Sequence, residues 1–140
     1  MATEGHSGEK FVQVAARVLI ALLFLHTGIG KILAPSVIIA AITRVGLPLP
    51  QFFYIGAIVV ELVVSLCFAF GFRTRVAALV LSAYCVLTAT LFHLELSNPM
   101  QTIQLLKNLA ITGGLLPYVF AARSLVATGQ AAGAGAAGRA

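Results

Sequence analysis

Charge is what this chain has least of. Nine Lys and Arg and four Glu supply all of it, 9% of 140 residues, and aspartate is absent altogether. Soluble domains carry about 25% charged residues. So little charge cannot cover a water-soluble globule, and that class is excluded. Tryptophan is also absent, and there are only 2 cysteines, Cys67 and Cys85. With no CxxC and no metal spacing they build neither a disulfide framework nor a zinc site. They read as small apolar core residues. The 13 glycines follow no triplet period, which excludes a collagen-like chain. The basic residues never form a run, so a net charge of +5 does not point to nucleic acid.

What the chain does have is hydrophobicity, with 60% apolar residues and a mean hydropathy of +1.03. That combination is the reverse of a disordered composition. The remaining class is an integral membrane protein of one domain. A bilayer core about 30 Å thick takes about 20 mostly apolar residues per helix. Such stretches occur at residues 11–30, 52–72, 76–92 and 102–122. Lys31, Pro35, Gly46, Pro48 and Pro50 punctuate the chain after the first, Gly71, Arg73 and Arg75 after the second, and Ser97, Asn98 and Pro99 after the third. Lipid offers the backbone no hydrogen-bond partner, so these stretches are helices. The expected fold is all-α, an integral membrane four-helix bundle with short connections.

Residues 36–45 are apolar but too short to span, and predict an interfacial or re-entrant helix on the outer side between helices 1 and 2. The expected organisation is a cytoplasmic N-terminal tail at 1–10, a membrane domain at 11–123, and a disordered Gly/Ala-rich cytoplasmic tail at 124–140. The first apolar run is longer than the core of a signal peptide and no small-residue cleavage site follows it, so it is expected to stay as an anchor. Lys10, Arg17, Arg73, Arg75, Arg123 and Arg139 fall on one side, and Lys31, Arg44 and Glu95 on the other. The positive-inside rule then places both termini of this multi-pass protein in the cytoplasm.

The informative residues are the charges that sit too deep. Glu61 lies about 13–14 Å into the second span, near mid-membrane. A lone charge there costs about 3 kcal/mol. It should face the bundle interior and pair, and by depth and direction its expected partner is Lys107, with Asn108 beside it. The pair reads either as a rivet fixing the bundle or as a proton or ligand site.

At about 100° per residue, Arg17, Gly28 and Lys31 share one face of the first helix and His26 points nearly the opposite way. His26 therefore reads either as an outer-side site residue or as a histidine bonded to a neighbouring helix. Lys31 and Arg17 could each snorkel to a membrane surface instead. Lys107, Gly114 and Tyr118 share a face of the fourth helix, where a glycine admits a close neighbour. Ser82, Ala89 and His93 share a face of the third. Cys67 and Cys85 sit about 22 Å and about 12 Å below the outer surface, at 1.5 Å per residue. That mismatch excludes a disulfide between them. No motif for a covalently held cofactor, a metal or a nucleotide is present.

Several segments together resemble the DoxX family of small four-span bacterial membrane proteins. They are Arg17-Val18-Leu19-Ile20, Thr27-Gly28-Ile29-Gly30-Lys31-Ile32, Gly46-Leu47-Pro48, Glu61, Gly71-Phe72-Arg73-Thr74-Arg75, Ala89-Thr90-Leu91-Phe92-His93 and Lys107-Asn108-Leu109-Ala110. The resemblance covers about residues 11–123. It implies the bacterial inner membrane and an association with redox chemistry, since the family is named for a subunit of a thiosulfate:quinone oxidoreductase. Related four-span proteins serve thiol maturation, a role for which this chain lacks paired cysteines.

The expectation drawn from residues and resemblance together is a subunit of a quinone-linked oxidoreductase system. Glu61 and Lys107 would handle protons or a substrate anion. His26, Lys31, His93 and Asn108 would bind substrate from the outer side, and Arg17 and Gly114 would be structural. Electrons would arrive from a redox partner protein or a small outer substrate. The alternatives are a non-enzymatic scaffold, an assembly factor or small-solute permeability component, and, as a homo-oligomer, a transporter.

Overall fold

A computed structural model describes the backbone of residues 3–137 and the side chains of residues 8–120. The chain forms α1 (Thr3–Leu33), α2 (Pro35–Arg44), α3 (Pro50–Val59), a π-helical turn (Val60–Val64), α4 (Ser65–Phe70), α5 (Thr74–Phe92) and α6 (Pro99–Ala137). The architecture is the expected helical membrane bundle. α3, the π-turn and α4 follow one another without a break and make the second long rod. The expected tail at 124–140 falls on residues whose side chains, and at 138–140 whose backbone, lie outside the described residues.

Among the described residues three helices are long and apolar enough to cross a membrane: Gly8–Leu33, Pro50–Phe70 and Thr74–Phe92. The expected fourth span, α6, is not among them over its described residues. Gln101, Gln104, Lys107 and Asn108 dilute its first turns. It nevertheless packs along α5 as a full member of the bundle.

Large apolar side chains cover the outside, among them Leu19, Phe52, Phe70, Leu79 and Ile103. A water-soluble domain of this size would hide such residues, whereas lipid is their natural solvent. The dry core is a cluster of Phe24, Phe68, Ala77, Ala78, Leu81, Cys85 and Leu115. Tyr118 meets Phe68 edge-on, with ring centroids 5.0 Å apart. Small residues on α5 let α6 and the second rod approach closely.

Two ends can be told apart. At one, Gly71 closes α4 at φ +79°, and the guanidinium of Arg17 lies across it. Tyr118 Oη donates to the carbonyl of Gln13 at 3.0 Å at this same end. At the other, α2 lies over the bundle, with Ile42 buried beneath it. Pro35 starts α2 with a preset φ and no orphan N–H. This is the short apolar segment expected between the first two spans, and it roofs a cavity.

Candidate functional site

The site begins with a close approach of backbones. Gly28 on α1 faces the π-turn; a Cβ there would fall 2.7 Å from Leu62 Cδ2 and 3.1 Å from Glu61 Cβ. The absence of a side chain at Gly28 lets the two rods approach this closely, and a Cβ there would force Leu62 and Glu61 to give way. Lys31 stands one turn further along the same face of α1, and its Nζ donates to both Glu61 oxygens at 2.8 and 2.9 Å. The expected partner of Glu61 was Lys107. That pairing is corrected: the ion pair is Lys31–Glu61. The reason is proximity through Gly28, which puts α1 nearer to Glu61 than α6 is.

Glu61 has a second donor. Tyr84 Oη on α5 reaches Oε1 at 2.7 Å. A buried carboxylate at 4% exposure thus accepts from an ammonium and a phenol at once, the arrangement that makes burial of a charge tolerable. Glu61 sits in the π-turn, a conformation found often at functional sites. Ser65 Oγ donates to the Glu61 carbonyl, and to that of Leu62 at 3.2 Å. It thereby helps to satisfy the carbonyls of the widened turn. The Lys31 carbonyl is held in turn by Tyr54 Oη at 3.1 Å.

Around this network lies a cavity of about 600 Å³. Its walls come from α1, α2, the second rod, α5 and α6. Lys31, Glu61, Tyr84, Lys107 and Asn108 line it, with Leu23, Phe24, Leu87 and Ile111 as apolar wall. His93, Glu95, Gln101 and Arg44 also line it. His93 Nδ1 and Gln101 Oε1 lie 2.6 Å apart, joining the end of α5 to the start of α6. Asn108 is buried and reaches Thr88 Oγ1 at 3.5 Å.

The structure therefore gathers Glu61, Lys31, Lys107, Asn108 and His93 on one cavity. His26 is not brought there. It is exposed on the outside of α1, as its helical phase requires. Gly114 is exposed, and a Cβ there would meet Ile20 only at an ordinary 3.7 Å, so the expected close approach occurs at Gly28 instead. Arg17 belongs to the far end, against Gly71. Tyr84 was missed by the sequence reading. Its signal was a phenol in the middle of an apolar span, which needs a partner when buried. Cys67 and Cys85 are free thiols. Among the described residues no three of His, Cys, Asp or Glu are grouped to hold a metal ion.

Comparison with known proteins matches the sequence to a family. The family model described as DoxX matches residues 12–94, which include α1 from residue 12 onward, α2, the second rod and α5. A curated relative, the inner membrane protein YqjF of Escherichia coli (strain K12), is 34% identical over 103 residues, covering 74% of this chain and 78% of the relative. No solved structure gives a significant match.

Proposed function

The chain belongs to the DoxX family and is an inner-membrane protein, and from that premise we propose that it is a subunit of a quinone-linked oxidoreductase system. The quinone head would occupy the cavity between the Lys31–Glu61–Tyr84 network and Lys107. The supporting observation is the cavity itself: about 600 Å³ with titratable groups on an otherwise apolar wall. A structural rivet needs the ion pair but no space beside it.

Reduction of a quinone to a quinol takes two electrons and two protons. A quinone oxygen entering the cavity would compete with Glu61 for the O–H of Tyr84 and the N–H of Lys31. Either donor could then pass a proton to it, with Glu61 holding the pair in place. Lys107 and Asn108 would orient the head from α6, and His93 would stand on the route to the outer surface. Electrons would come from a partner protein or a small reductant on the outer side. By the positive-inside rule the basic residues at the Arg17 end favour a cytoplasmic side for both termini, and α6 would complete the fourth crossing.

The test is binding of a short-chain quinone to the purified protein in detergent. Wild type is expected to bind, and Tyr84→Phe and Lys107→Gln to bind at least about tenfold more weakly, the ratio equivalent to about 1.4 kcal/mol. Each variant should keep its helix content. No binding by wild type, or equal binding by all three, would return the pair to a purely structural role.

A further inference from the structure

A second opening lies toward the other end of the bundle, and the proposed function makes no use of it. Between the second rod and α5 runs a shallow groove of about 160 Å³. Val64, Cys67, Phe72, Val76 and Val80 line it, with Arg73 at the turn that joins the two rods. Apart from that arginine the lining is apolar, and the groove is open along its length to the surface that faces lipid.

Arg73 is held in an unusual way. Its φ is 44° and its ψ is 45°, in the left-handed region that favours glycine. The turn already uses glycine at Gly71, φ +79°, for the same purpose. A second glycine at position 73 would sit without strain, yet the chain places a cation there. Two further arginines share this end. Arg75 is exposed on the first turn of α5. Arg17 lies across Gly71, with its Nε buried and without a hydrogen-bond partner. Among the described residues none of the three forms an ion pair. An uncompensated cluster of positive charge thus adjoins an apolar trough at the level where helices leave the membrane.

We propose that this groove binds an anionic phospholipid, one acyl chain lying along α5 and the phosphate meeting Arg73. The chemistry on both sides matches: hydrocarbon against Val64, Val76 and Val80, and a phosphate against guanidinium groups that lack an acid. Arg17 and Arg75 strengthen the field at the headgroup. The left-handed strain at Arg73 is the local cost of pointing a cation at that headgroup. The site is independent of the quinone cavity.

The test uses the full-length protein in nanodiscs of phosphatidylcholine, with and without phosphatidylglycerol. Thermal unfolding is followed, and retained lipid is counted by native mass spectrometry. Phosphatidylglycerol should be retained in preference to phosphatidylcholine and should raise the midpoint. Arg73→Gln should reduce that preference about fivefold, the ratio for about 1 kcal/mol per basic residue at a lipid surface. Arg73→Gly relieves the backbone strain, so it should fold at least as well and lose the same preference. A wild type indifferent to phosphatidylglycerol would overturn the proposal, as would variants that keep the full preference. Equal stabilisation by inorganic phosphate in detergent would overturn the lipid as the occupant.

Discussion

Lys31 and Arg17 stand on one face of the same helix, about 21 Å apart at 1.5 Å per residue, and the bundle treats them in opposite ways. Lys31 is given a carboxylate and lies beside an open cavity. Arg17 is given a glycine to lie on and, among the described residues, no acid. The surroundings differ in the same sense. Near the centre, toward the Arg17 end, Phe68, Leu81 and Leu115 are fully buried and packing leaves no room. At the Lys31 end a cavity opens, with titratable and polar groups set on an otherwise apolar wall. Close packing suits charges that can reach a membrane surface, whereas a charge held deep must bring its partner with it. The partner needs a backbone that can present it, and the π-turn at Val60–Val64 serves that purpose.

The comparison can be broken at either end. The largest effects should come from removing one half of the deep pair or one plug of the dry core. Glu61→Ala leaves Lys31 uncompensated and should cost about 3–5 kcal/mol. Phe68→Ala should cost about as much, about 3–5 kcal/mol, by opening a cavity. Unfolding in mixed micelles would measure both. The difference lies in rescue: Lys31→Met should restore much of the loss in Glu61→Ala and none of that in Phe68→Ala.

Gly28→Ala should cost about 1–3 kcal/mol by overpacking against Leu62, and should weaken quinone binding by shifting Glu61. The corresponding change at the exposed Gly114 should lie within about 0.5 kcal/mol of wild type. The smallest effect belongs to His26→Leu, also within about 0.5 kcal/mol, because that side chain faces outward. A large loss on His26→Leu would show that this face is covered by something else.

Most of the fold was legible because lipid leaves so few solutions. Apolar runs of spanning length, broken by Pro, Gly and Arg, mark helices whatever their neighbours, and the apolar run at residues 36–45 was too short to span and so read as an interfacial or re-entrant helix. Less was legible in α6, where Gln101, Gln104, Lys107 and Asn108 mix polarity into a packed helix. The site was read in part. Glu61 identified itself as a charge with nowhere to go, but its partner was chosen by depth and direction of travel. Depth does not say which helices touch. Gly28 held that information: a glycine on the same face as Lys31 marks where α1 approaches a neighbour. The π-turn left no such mark, because no residue of Val60–Val64 carries a recognised preference for it. His26 was expected to bind substrate, yet it lies exposed outside the cavity, on the side of α1 that its helical phase already set opposite Arg17.

The central claim is that Glu61 belongs to Lys31 and not to Lys107. Two double-mutant cycles in mixed micelles test it directly, one pairing Glu61→Gln with Lys31→Met and the other pairing it with Lys107→Met. The account predicts a coupling energy above about 1 kcal/mol for the first and below about 0.5 kcal/mol for the second. Equal couplings, or a larger one with Lys107, would contradict it.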